Sequence, residues 1–163
     1  MIDDRCDEII NRFSETIKSF YNDEKYIELF SEFVLNRTEE FKGNNSDITI
    51  YEEYIKVEIL GYLKALYDSD KEYFLNTKDE TTNNILDALN DTEKLIHMII
   101  IVLMPMDLNY NIDKSIIIKN LGLNETEYES LIAGMTKKSI DVLNENSAWP
   151  KIYLGNGNQS AKK

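Results

Sequence analysis

Residues 95–106, Leu-Ile-His-Met-Ile-Ile-Ile-Val-Leu-Met-Pro-Met, are twelve in a row with one histidine, one proline and otherwise only apolar side chains. A helix on a protein surface interrupts its apolar residues with polar ones every third or fourth place, and this stretch does not. A helix apolar on all sides has to be enclosed on all sides. The spacing therefore predicts a buried central helix, about residues 92–104, with the remaining chain packed round it. As a helix these residues rise only about 18 Å, short of the ~20 residues that a bilayer span needs, so no membrane association is expected. The β-branched run 99–103 would also suit a buried strand, but no second strand is evident to pair with it.

The flanking sequence has helical periodicity. Ile2, Cys6, Ile9, Ile10, Phe13, Ile17 and Phe20 keep the three-and-four spacing of one helix face, which predicts a helix over 3–21. After Asn22 and Asp23 a second helix carries Tyr26, Ile27, Phe30, Phe33, Val34 and Phe41 inward, and Gly43 is placed to end it as the C′ residue. A third helix is expected over 49–67, a short fourth over 71–76 and a fifth over 81–90. Asp91 and Thr92 should open the central helix, which Pro105 closes. Asp113 caps a short helix ending at Leu121, Gly122 turns the chain, and Asn124 with Glu127 forms a capping box for the last helix. The fold class is all-α, a single-domain bundle of roughly seven to nine helices over residues 1–154. Within it, 147–154 should pack back on the bundle. Residues 155–163, small and polar, read as a disordered tail.

Charge narrows the partners. The chain has 30 acidic and 18 basic residues, a net charge of −12. The imbalance sits in the first half, where residues 1–80 hold 20 acids against 10 bases. Such a surface repels nucleic-acid backbones and anionic membranes and favours basic proteins or metal cations. Cys6 is the sole cysteine, so no intramolecular disulfide can form, and the N-terminus is acidic where a secretory signal would be basic. A cytoplasmic location is expected.

Five features bear on chemistry. Glu58 falls inside the apolar arc of the third helix, where an unpaired carboxylate is costly, so it should find a partner or stay protonated. His97, the only histidine, interrupts the apolar run four residues after Glu93, close enough for a carboxylate to orient it. Glu58 and His97 are therefore candidates for a buried polar pair. Third, Glu52, Glu53 and Glu58 lie on one helix while Asp87 and Asp91 are spaced i,i+4 near the next long one, and facing acidic pairs can hold Mg²⁺ in a bundle. In outline, Glu53, Glu58, Asp87 and Asp91 resemble the metal-binding pairs of the all-α nucleotide pyrophosphatases. Those pairs are Glu-x-x-Glu and Glu-x-x-Asp, whereas four and three residues intervene here. The resemblance implies Mg²⁺-dependent hydrolysis in nucleotide metabolism.

Fourth, residues 113–132 have the outline of a helix-turn-helix, but the second helix begins Asn-Glu-Thr-Glu-Tyr-Glu, which would repel DNA phosphates. Fifth, Glu24, Glu28 and Glu32 form an i,i+4 ladder beside Tyr21 and Tyr26. Like charges so spaced weaken a helix slightly, and a basic partner would relieve them. Bacterial immunity proteins and phage anti-defence proteins are similar in composition, being small, acidic, cytoplasmic and often helical. No nucleophile elbow, phosphate loop, dinucleotide fingerprint or zinc cluster occurs. A non-enzymatic module that docks a basic protein is the leading expectation, and the Mg²⁺-dependent hydrolase is the alternative. Aromatics at stripe edges, Phe33, Tyr62 and Tyr73, would suit a homo-oligomer.

Overall fold

The computed structural model describes residues 2–107 and 109–146. Among these the chain is an all-α bundle of eight α-helices with one 3-10 turn and no strand. The order is α1 (Ile2–Phe20), α2 (Glu24–Lys42), α3 (Ile48–Ser69), α4 (Lys71–Leu75), α5 (Glu80–Asp87), α6 (Asp91–Leu103), the 3-10 turn Met104–Met106, α7 (Lys114–Leu121) and α8 (Glu125–Asn146). No helix among the described residues is long and apolar enough to cross a membrane. The segments expected to pack back (147–154) and to form a tail (155–163) lie outside the described residues.

Local chemistry sets most boundaries. Asp23, Asp47, Asp70, Asp79 and Asp113 each stand at a helix N-cap and accept a hydrogen bond from a first-turn amide. Each satisfies one of the amides that a helix start leaves unpaired and places negative charge at the positive end of the dipole. Gly122 ends α7 at φ +70°, a left-handed conformation that glycine adopts without strain. Gly43 departs from expectation. It ends α2 at φ −65°, right-handed, with its amide donating to the carbonyls of Glu39 and Phe41. The cap of α6 also differs, being Asn90 rather than Asp91. Asn90 and Glu93 form a reciprocal capping box, with Asn90 N donating to Glu93 Oε1 and Glu93 N to Asn90 Oδ1, both at 2.9 Å.

α6 packs against α1, α3 and α8, and its own 3-10 extension packs on α1. Leu95, Ile96, Met98, Ile99, Val102 and Leu103 are buried. Enclosure is incomplete, however. His97, Ile100, Ile101 and Met104 share the remaining arc, and each is only partly buried. The core is continuous from Cys6, Phe13 and Phe30 through Tyr51 and Leu63 to Ile117, Tyr128 and Met135. The aromatics Phe33, Tyr62 and Tyr73 are partly buried and stack on other rings of the chain. Phe33 lies 4.5 Å from Tyr62 between ring centroids, and Tyr73 stacks at 3.9 Å on Tyr26 and 5.2 Å on Tyr21.

The two isoleucines at 99 and 101 test this placement. Ile99→Ala removes a side chain with 0% exposure and should cost about 3 kcal/mol, whereas Ile101→Ala, on the open arc, should cost about 1 kcal/mol. Urea denaturation of the two variants measures the difference.

Candidate functional site

The outward face of α2 carries the acidic ladder. Glu24, Glu28 and Glu32 are exposed, and none makes an ion pair among the described residues. Leu29 and Leu35, 41% and 48% exposed, lie beside them on the same face. The tyrosines placed with this ladder behave differently. Tyr21 is buried, and its hydroxyl donates to the Phe74 carbonyl at 2.6 Å, so it belongs to the core and not to a docking face. Tyr26 is half-buried; it stacks on Tyr73 and donates to Asp70 Oδ2 at 3.3 Å. The Tyr73 hydroxyl is buried with no hydrogen-bond partner among the described residues.

Glu58 and His97 are not a pair. Glu58 Oε1 meets Arg37 Nε at 3.0 Å, with its side chain about one third exposed, at the edge of the α2–α3 seam. The arc that seemed to bury it is the arc on which Arg37 also arrives. No hydrogen bond or ion pair among the described residues engages the His97 ring, and burial pulls its pKa below the ordinary value. At neutral pH it is an uncharged imidazole.

Among the described residues the buried carboxylate is Glu93. Besides closing the capping box, its Oε1 accepts from Lys138 Nζ of α8 at 2.7 Å. Burial raises its pKa, but hydrogen bonds from Lys138 and the Asn90 amide, with the ammonium charge, outweigh this and hold it below the usual carboxylate range. Gly134 passes close by; a β-carbon there would sit 3.4 Å from Glu93 Oε2. Since Glu93 is engaged this way, it does not orient His97. The sequence did contain the signal, because Asn90-x-x-Glu93 is the same pattern as Asn124-x-x-Glu127. A second inner acid, Asp107, accepts from Lys56 Nζ at 3.0 Å and from the amides of Asn109 and Asn111. Burial opposes its ionisation, yet these donors keep its pKa low. It ties the loop before α7 to α3.

The four carboxylates expected to hold Mg²⁺ are not brought together. Glu58 is paired with Arg37, Asp91 Oδ2 lies 3.4 Å from Lys71 Nζ, and Glu53 and Asp87 are exposed. Among the described residues no three of His, Cys, Asp and Glu are grouped so as to hold a metal ion. At the helix-turn-helix outline, Lys114 of α7 is neutralised by Glu125 and Glu129 of α8 at 3.0 and 2.8 Å. No basic reading surface is left there.

A broad concavity of about 990 Å³ opens where α6 begins beside α8. One wall is Asn90, Asp91 and Thr92, and the other runs from Leu123 through Thr126, Glu127 and Ser130 to Leu131. The Glu93–Lys138 contact clamps the two helices just beyond it. Sequence reasoning missed this groove because its walls come from segments about thirty residues apart, joined by a tertiary contact with no local spacing.

Comparison with known protein families, with curated proteins and with solved structures finds no match to this chain.

The clamp has a pH signature. A carboxyl with a depressed folded-state pKa contributes stability above its unfolded pKa and loses it as pH falls through the folded value. Lys138→Met should therefore cost about 1–2 kcal/mol at neutral pH, less than a fully buried pair because Lys138 is 42% exposed. The cost should shrink as pH falls below the ordinary carboxylate range and Glu93 takes up its proton. Denaturation of wild type and variant across that range gives the comparison.

Proposed function

We propose that this chain is a non-enzymatic binding module that docks a basic protein through the outward face of α2. The observation that carries the reading is the row Glu24, Glu28 and Glu32, exposed and without ion pairs among the described residues, beside the exposed Leu29 and Leu35. Several other surface acids have work within the fold. Asp23, Asp47, Asp70, Asp79 and Asp113 cap helices, and Glu8, Glu40, Glu52 and Glu58 meet arginines. The α2 row has no such intramolecular role, and its mutual repulsion weakens the helix that carries it. Opposite charge from a partner would remove that repulsion and speed encounter, while the two leucines would supply apolar contact. Inhibitors and immunity proteins of basic enzymes work by this combination. A cytoplasmic setting accords with the lone, buried Cys6.

The test is a partner isolated by affinity purification and then measured with purified components. Replacing Glu24, Glu28 and Glu32 together with Gln should slow association about tenfold at low salt and flatten its dependence on ionic strength. An isolated partner that binds the triple variant with unchanged rate and salt dependence would remove the α2 face from the interface.

A further inference from the structure

We infer that the groove between the start of α6 and α8 takes a basic amphipathic helix from a partner protein, at a site separate from the α2 face. Its lining is of the mixed kind that a peptide needs. Leu123 and Leu131 are partly buried against the core and also border the open groove. Glu127 stands between them in the chain, one helical turn before Leu131 on α8, while Leu123 lies in the turn just ahead of the first residue of α8. Asp91 lies on the opposite wall.

The charge of the lining is acidic without a base among its members. Glu127 is held by its Oε1, which accepts from the Asn124 amide at 2.9 Å, while its Oε2 has no partner among the described residues. The capping box thus fixes where a carboxylate oxygen is presented, and leaves that oxygen available. A helix lying alongside α8 presents its own row of side chains three or four residues apart. The complementary pattern is apolar, basic, apolar: two hydrophobic side chains against Leu123 and Leu131, and a Lys or Arg between them reaching Glu127, since Asp91 Oδ2 is already met by Lys71 Nζ at 3.4 Å. Both walls are preformed, since Glu93 and Lys138 join α6 to α8 at 2.7 Å. The partner therefore meets a groove whose walls are already in place.

A random peptide library displayed against the immobilised full chain, with the enriched peptides then measured by fluorescence polarisation, tests this directly. Enriched sequences should carry a Lys or Arg flanked three or four residues to either side by apolar residues. Glu127→Gln keeps the capping box and the fold and should weaken these peptides about fivefold. Ser130→Arg, an exposed position on the groove wall, should abolish their binding. The triple Gln variant of Glu24, Glu28 and Glu32 should bind them as wild type does, which separates this site from the α2 face. Enrichment of acidic sequences, no recurrent sequence, peptides indifferent to Ser130→Arg, or peptides lost only in the α2 variant would each overturn the proposal.

Discussion

The structure depends on covering α6. Six of its side chains, Leu95, Ile96, Met98, Ile99, Val102 and Leu103, can leave water only if other helices close over them, and α1, α3 and α8 do so. Those helices bring their own apolar stripes, so one continuous core forms from elements far apart in sequence. The start of α6 is fixed with equal care. Asn90 and Glu93 satisfy each other's amides, and Glu93 draws the Lys138 ammonium of α8 onto the same corner. A buried carboxylate is tolerable there because it has an amide and an ammonium as donors.

That arrangement explains what the acidic composition does. Much of the negative charge is used locally, at helix starts and opposite arginines or lysines, where it stabilises ends and seams. Charge totals therefore overstate how much acidity faces outward. What remains unpaired on α2 is a smaller and better defined surface than the net charge of −12 suggests.

The helices were legible because the chain is regular where it packs. The stripe of α1, the Asp caps and the run at 95–106 all obey local periodicities that a sequence displays directly. Buried polar groups were less legible. Glu58 lies on an apolar arc by angle, yet Arg37 meets it from a neighbouring helix, and angle alone does not reveal that. Glu93 reads by spacing as the acid that orients His97; its burial follows from how α8 crosses that end. Tyr21, outside any helix, was assigned to the surface by its neighbours in sequence, while its hydroxyl reaches the carbonyl of Phe74. The dispersal of Glu53, Glu58, Asp87 and Asp91 has the same origin, since helical spacing says which residues share a face and not which faces meet.

The central claim is that α6 is the element whose burial holds the bundle together. Native-state amide hydrogen exchange tests it most directly, because an amide exposed only by global unfolding exchanges with the free energy of global unfolding. The account predicts that amides from Leu95 to Leu103 exchange at that limit and are among the slowest in the chain, together with the facing turns of α1 and α3. Exchange of α6 through a local opening well below the global free energy, with α1 to α3 still protected, would contradict it.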